Sequence, residues 1–365
     1  MIMTPKYDKI HNKFKLNGIH FSHEDLKEVA YSLVKEGEPY EKVTGNFLMD
    51  WLNKDDFLYV KTSGSTGKPK NIKLNKQAMV NSAIATGDYF GLEPGDKALD
   101  CLPSHYIAGK MMLVRAMILG LELDIVEPST HPMFDYAKTY KFCAMIPLQL
   151  KHVIKYTHNI HTIIVGGSKI TTPLLDMIRH QDSEFYETYG MTETITHVAA
   201  RQLESKKAKH EVYFKALPNI IFSQDDRNCL VIEAPHLLDE PVTTNDVVDL
   251  ISDTSFDWLG RIDNVVNSGA VKLFPEQIEG KLQTIIDERF IVGSEPDDTL
   301  GEKLILVIEN PRDSMRNFEK RIKYLKGIRK FEIPKNIYFI DEFEETVNGK
   351  VQRKATIKKA LAQNT

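Results

Sequence analysis

Apolar residues recur at helical spacing in HEDLKEVAYSLVKEG, and acidic residues cluster near its start. This stretch predicts a helix inside a largely helical segment over residues 1–55. The pattern then changes. FLYVKTSGSTGKPKNIKL reads as a strand, a Gly/Ser/Thr loop and a second strand, the order of a β-hairpin. KQAMVNSAIATGDYFG returns to the helical period and closes on Gly91, a residue type suited to the left-handed turn that ends helices. From residue 97 short apolar runs alternate with helical stretches. KALDCLP, LELDIVEP, FCAMIP and HTIIVGG predict strands; HYIAGKMMLVRAMILG, PLQLKHVIKYT and PLLDMIRHQ predict helices. Alternation of this kind predicts a parallel α/β sheet. Residues 211–260 turn β-rich, with CLVIEAP and DVVDLI. Beyond Arg261 the pattern restarts as a smaller unit, with FPEQIEGKLQTII and NFEKRIKYLKGI helical and LILVIEN and NIYFID extended. The expected fold is therefore α/β. Residues 1–260 form a large domain with parallel sheet layers and a β-rich subdomain, residues 261–365 form a small mobile α+β domain, and the junction lies near residues 260–264.

The length of 365 residues exceeds one ordinary core and agrees with two units. A formal net charge of −4 leaves no basic excess for nucleic acid. The basic C-terminal run of Lys350, Arg353, Lys354, Lys358 and Lys359 reads as a solvated helix face. Cys101, Cys143 and Cys229 are far apart and form no C-x-x-C pair, which argues against a disulfide framework or a zinc site and for a reducing compartment. The first residues are polar and lack the apolar centre of a signal peptide. Residues 111–126, the longest apolar stretch, are interrupted by Arg115, Glu122 and Asp124 and are too short to span a bilayer. A cytoplasmic protein without a membrane span is expected.

The most informative string is Thr62-Ser63-Gly64-Ser65-Thr66-Gly67-Lys68-Pro69-Lys70. Glycines let backbone N–H groups turn towards an anion, hydroxyls add donors and lysines add charge, a combination suited to polyphosphate. Pro69 after Lys68 rules out a Walker A loop, which needs Ser or Thr there. A generic Gly/Ser loop is more often a surface turn. This string, however, resembles the phosphate-binding loop of the adenylate-forming superfamily, which comprises acyl-CoA and aryl-CoA synthetases, luciferases and peptide-synthetase adenylation domains.

Further stretches follow in that superfamily's order. Gly166-Gly167-Ser168, after an apolar run, resembles the small-residue turn that lies against adenine; alone it would read only as a turn. Tyr189-Gly190-Met191-Thr192-Glu193 resembles its Y-G-x-T-E motif. The resemblance implies stacking on adenine for Tyr189, close backbone approach at Gly190, an α-phosphate contact for Thr192 and Mg²⁺ ligation for Glu193, and each role suits its side chain. Thr244-Asn245-Asp246 resembles T-G-D, with Asn245 in place of Gly; Asp246 would accept the ribose hydroxyls. Arg261 resembles a ribose- or phosphate-contacting arginine, Asp263 or Asn264 the hinge of the small domain. Ser268, Gly269 and Lys272 fall in the segment that approaches the pantetheine arm of coenzyme A, with Ala270 where a second Gly is common. Thr346-Val347-Asn348-Gly349-Lys350 resembles the closing P-x-T-x-x-G-K motif, with Glu344 in place of Pro and Lys350 as the adenylation lysine. The superfamily's region ahead of the phosphate loop is far longer than the ~60 residues here. The resemblance therefore implies a trimmed N-terminal subdomain, part of whose pocket wall is absent or supplied by a second subunit, as in a homodimer.

Leu102-Pro103-Ser104-His105-Tyr106-Ile107-Ala108-Gly109 resembles a segment near the acyl pocket. His105 is a candidate to gate or stack on the substrate, or is simply a structural histidine. Arg115, inside the apolar MMLVRAMILG, needs an anionic partner or an exit to water; a salt bridge within the fold is the plain alternative. The short form and the Gly109-to-Arg115 spacing resemble 2-succinylbenzoate–CoA ligases of menaquinone synthesis. On that resemblance Arg115 would take a second carboxylate, and His197 would line the same pocket. The resemblance implies ATP, Mg²⁺ and coenzyme A as cofactors and an AMP-forming ligation of a small carboxylic acid. The alternatives are another aryl- or acyl-CoA ligase, or a non-catalytic nucleotide-binding relic.

Overall fold

The apolar runs between residues 97 and 165 form the strands Lys97–Asp100, Glu122–Ile125, Tyr140–Met145 and Ile160–Val165. The computed structural model describes residues 4–61, 71–345 and 351–363. These four strands and Glu184–Gly190 pair in parallel, in the spatial order Glu122–Ile125, Lys97–Asp100, Tyr140–Met145, Ile160–Val165, Glu184–Gly190. Their side chains alternate between two apolar layers, as a parallel sheet covered on both faces requires. Ala98, Phe142, Ala144 and Ile164 face one layer, which also holds the helices Lys76–Phe90 and Ile107–Leu119. Leu99, Cys143, Ile163 and Phe185 face the other, beneath Pro147–Val153 and Thr172–Arg179. Residues Gly109 to Ile118 are all buried, Arg115 among them.

The chain leaves Lys97–Asp100 for Glu122–Ile125 on one side and later returns to Tyr140–Met145 on the other. Strand order therefore reverses around Lys97–Asp100. In open α/β sheets a crevice forms at such a switch point, outside the carboxyl ends of the strands, and ligands bind there. After Gly190 the sheet turns antiparallel and continues through His197–Gln202, Phe214–Ala216, Ser255–Arg261, Val242–Ser252, Cys229–Glu233 and Ile221–Gln224. The β-rich stretch is thus continuous with the parallel part in one 13-stranded sheet. At the opposite edge Lys15–Leu16 pairs with Glu122–Ile125, so the first residues are not wholly helical. Helices His23–Glu36 and Pro39–Leu52 follow. Phe57–Lys61 and Asn71–Asn75 form the expected hairpin; residues 62–70 between them lie outside the described residues.

The last third has a sheet of five strands, Val266–Ser268, Val271–Leu273, Phe290–Asp297, Gly301–Glu309 and Asn336–Ile340. Leu304, Leu306 and Ile308 face one apolar cluster, and Ile305 and Val307 face another under the helix Arg353–Gln363. The cores on either side of Arg261 share no residue. All three cysteines are free and buried. Among the described residues no helix is long and apolar enough to cross a membrane.

Candidate active site

The carboxyl ends of the parallel strands bring Gly166–Ser168, Tyr189 and Gly190 together. Ile160–Val165 runs directly into Gly166, and Gly190 ends its own strand. A side chain at Gly166 would meet Thr188 Oγ1 at 2.5 Å, and Gly167 has a φ of +89°, so this turn depends on glycine. Across the sheet Asp246 and Arg261 are directly opposed. The Tyr189 hydroxyl donates to Asp246 Oδ2 at 2.8 Å, and Trp258 Nε1 donates to Oδ1 at 3.2 Å. Arg261 lies 3.8 Å from Oδ1 and 3.4 Å from Asp263. Burial, and after it the Asp246 carboxylate, hold the Tyr189 phenol well above its usual pKa, so it remains a donor. Gly167, Ser168, Tyr189, Gly190, Asp246 and Trp258 line a cleft of about 610 Å³ together with Lys169 and, from the C-terminal unit, Glu276, Gln277, Gly280 and Lys281. An aromatic ring fixed by its own hydroxyl, a turn without side chains and a carboxylate able to accept a diol fit a nucleoside.

Gly190 meets a constraint from its neighbour strand. A β-carbon there would lie 2.3 Å from the Thr196 carbonyl oxygen and 2.5 Å from His197 Cα. Both contacts are backbone, so Gly190→Ala must displace the start of the antiparallel strand. We expect a loss of about 1–3 kcal/mol in urea unfolding, the cost of overpacking a tight site. An unchanged unfolding midpoint would remove this account of Gly190.

Thr192 and Glu193 form one turn of 3₁₀-helix, and Glu193 is exposed. Glu193 lines a separate cleft of about 520 Å³, beside Asn75 and Lys73 at the base of the hairpin and opposite His236 and Asp239. The two ends of one five-residue motif thus serve two clefts, Tyr189 and Gly190 one and Glu193 the other. Among the described residues no group of three or more His, Cys, Asp or Glu could cage a metal. Glu193 fits a Mg²⁺ that keeps most of its shell as water and substrate phosphate oxygens.

Arg115 and His197 meet in the interior. Arg115 is 1% exposed; its Nη2 donates to Thr196 Oγ1 at 3.0 Å and its Nη1 reaches the Met112 sulfur at 3.7 Å. Its Nε has no hydrogen-bond partner, and no described carboxylate forms an ion pair with it. The internal salt bridge left open by the sequence is therefore not made. The neutral ring of His197 lies between Thr196 Oγ1 at 3.3 Å and Thr86 Oγ1 at 3.5 Å, its pKa held well below the usual value first by burial and then by Arg115. His105 is exposed and contacts the Tyr106 ring at 3.9 Å, with no bond to this cluster.

In the C-terminal unit Asn264 donates to Glu276 Oε1 at 2.6 Å, while Asp263 is exposed. Ser268 and Gly269 lead into a turn whose Gly269 has a φ of +62°, and Lys272 is exposed on the following strand. Among the described residues, hydrogen bonds across the cleft of about 610 Å³ join the units: Lys169 Nζ to the Glu276 carbonyl at 2.7 Å, and Gln277 Nε2 to the Trp258 carbonyl at 2.7 Å. Sequence reasoning missed Lys169, Gln277 and the partner role of Trp258, because no local pattern records contacts between distant segments. Thr62, Ser63, Gly64, Ser65, Thr66, Gly67, Lys68, Lys70 and Lys350 lie outside the described residues.

Comparison with known proteins gives this geometry a context. The 2-succinylbenzoate–CoA ligase of Geobacillus sp. (strain WCH70) is 24% identical over 333 residues, covering 80% of this chain and 66% of that protein. The chain thus spans just under two thirds of that relative. The Staphylococcus aureus (strain MSSA476) protein of the same name is 23% identical over 362 residues, covering 90% of this chain and 73% of its own. Among solved structures, an acyl-CoA synthetase (AMP-forming)/AMP-acid ligase II-like protein from Dyadobacter fermentans is 34% identical, with a TM-score of 0.59 over 92% of this chain and 98% of that one. O-succinylbenzoate coenzyme A synthetase from Bacillus subtilis, solved with ATP and magnesium, shares the fold at a TM-score of 0.69 and 20% identity, over 82% of this chain and 69% of that one. The family model of AMP-binding enzymes matches residues 8–222, from the first sheet edge through the Tyr-Gly-x-Thr-Glu turn and into the antiparallel strands, and the chain belongs to that family.

Proposed function

We propose that this chain is an ATP-dependent carboxylate–CoA ligase acting on 2-succinylbenzoate. The observation that carries the nucleotide half is Asp246, a carboxylate tied to Tyr189 and Trp258 at the wall of a cleft that both units line. The observation that carries the choice of acid is Arg115, a buried guanidinium without a protein carboxylate. A buried cation of this kind is costly unless an anion arrives. The second carboxylate of 2-succinylbenzoate supplies one, and the relatives of that name support the same acid. Phe90 packs on Tyr186 and on the His197 ring, giving an aromatic wall beside the cluster.

In the first half-reaction the acid's reacting carboxylate oxygen bonds to the α-phosphorus of ATP, and the bond to pyrophosphate breaks. Asp246 accepts the ribose hydroxyls, Tyr189 and the Gly166–Ser168 turn flank adenine, and Arg261 stands beside the ribose. Thr192 and Lys350 stabilise charge on the α-phosphate, and residues Thr62 to Lys70 hold the departing phosphates. Glu193 would hold Mg²⁺, which would offset phosphate charge. In the second half-reaction the thiol of coenzyme A attacks the acyl carbon and AMP leaves. Rotation about Asp263 and Asn264 would exchange Lys350 for the segment of Ser268, Gly269 and Lys272. That motion must break the Lys169–Glu276 and Gln277–Trp258 bonds, so these act as its latch.

Pyrophosphate release with ATP, Mg²⁺, coenzyme A and a panel of acids tests the proposal. The expected result is release with 2-succinylbenzoate and formation of its thioester. Arg115→Leu should then cost kcat/KM for this acid about 1.5–3 kcal/mol, the worth of a charge-assisted bond, and leave monocarboxylic acids little changed. Release with another acid only would discard the substrate, and no release with any acid would favour a nucleotide-binding relic.

A further inference from the structure

Asp100 ends the strand at which the sheet order reverses, and Arg115 lies on the helix that leaves that strand. Asp100 is 0% exposed, a rare setting for a carboxylate. Its Oδ1 accepts from the Leu102 N–H at 3.0 Å, while its Oδ2 is buried with no partner. Arg115 Nε is likewise buried and unpartnered. Side chains alternate along the strand, so Asp100 shares the face of Ala98 and with it the layer that holds the Arg115 helix; the two groups occupy one interior without forming an ion pair. The titratable group beside Arg115 is the neutral His197 from the antiparallel strand, while the Cys143 thiol, held protonated by burial, lies on the other face of the sheet with Leu99.

From this arrangement we infer that Asp100 is the resident competitor for Arg115 and thereby a specificity-determining residue. Ionised, it claims the field of the guanidinium; protonated, it leaves that charge to a carboxylate on the bound acid. The inference rests on the reading of Arg115 as the site of the acid's second carboxylate. An acid with that group then binds well only to the enzyme whose Asp100 carries a proton taken from solvent. Burial raises the Asp100 carboxyl to about 8, which sets the range in which competition begins. The sign follows. Below that value Asp100 is already neutral and binding is independent of pH. Above it each further unit lowers the fraction of competent enzyme about tenfold.

The test compares 2-succinylbenzoate with the same acid lacking its second, non-reacting carboxylate, by pyrophosphate release in the intact enzyme from pH 6.5 to 9.5. The ratio of the two kcat/KM values cancels ionisations that act on ATP, coenzyme A or Lys350. In the wild type the ratio should be flat up to about pH 7.5 and then fall roughly tenfold or more by pH 9.5. In Asp100→Asn, which keeps the shape and the acceptor for Leu102, the ratio should stay flat. A flat ratio in the wild type overturns the inference without any variant, and so does a fall that persists in Asp100→Asn. Turnover with a flat ratio would remove this inference alone. Absence of turnover with 2-succinylbenzoate at every pH would remove the substrate reading and this inference with it.

Discussion

Lys350→Ala should lower acyl-adenylate formation by about 10²–10³-fold while leaving the transfer of a pre-made acyl-adenylate to coenzyme A near its wild-type rate. The magnitude is that of one preorganised charge removed from a transition state in which negative charge gathers on the α-phosphate. The division between half-reactions follows from the proposed rotation, which takes this lysine away before the thiol arrives. Its flanks support the assignment. Glu345 pairs with Val351 in an isolated bridge, and the Gln352 N–H donates to the Glu344 carbonyl at 2.7 Å. Arg353 then joins Glu279, Nη2 to Oε2 at 3.1 Å, and lies 3.8 Å from Glu276. Both acids sit on the helix Pro275–Leu282, which reaches into the nucleoside cleft. The described residues on either side of Lys350 are therefore joined to each other and to a helix that lines the cleft. Rates of pyrophosphate release with the acid, and of thioester formation from synthetic adenylate, separate the steps. Equal loss in both would refute the division of labour.

What the sequence discloses depends on how local the cause is. The strands from Lys97–Asp100 to Ile160–Val165 are legible because both faces are buried, so each is a run of apolar residues between turn signals. Glu184–Gly190 was not legible as a strand: of EFYETYG only Phe185 is buried, since its upper end is given over to the site. The junction of the β-rich stretch with the parallel sheet is equally hidden. It depends on pairings such as Phe214 with Phe256, across some forty positions of sequence that carry no mark of it. Motif spacing located Tyr189, Asp246 and Arg261, and the structure draws these three together. Spacing could not reveal that Glu193, four residues after Tyr189, opens onto another cleft, because the intervening 3₁₀ turn redirects the chain. Asp100 did leave a signal, a lone acid inside the apolar run 98–102, although its burial comes from packing against a helix that follows in the chain.

Asp246→Ala should reduce kcat/KM for ATP by about 10²–10⁴-fold, because two hydrogen bonds from the ribose diol to a charged acceptor are lost, each worth about 1.5–3 kcal/mol. The carboxylate is 6% exposed and already holds Tyr189 and Trp258, so its position is fixed before any nucleotide arrives. That preorganisation makes it a stronger ribose contact than a surface carboxylate would be. The same bonds create a second consequence of the substitution. Truncation leaves the Tyr189 hydroxyl and the Trp258 N–H without their acceptor, and some activity will fall through disorder of the adenine wall alone. Comparison of ATP with 2′-deoxy-ATP distinguishes the two effects. The wild type should prefer ATP, since the deoxy nucleotide forfeits one of the two bonds. In Asp246→Ala neither nucleotide can make either bond, and the preference should collapse towards unity even though both rates are low. A variant that still discriminated as strongly as the wild type would assign the ribose to another residue and leave Asp246 only the task of holding Tyr189 and Trp258 in place.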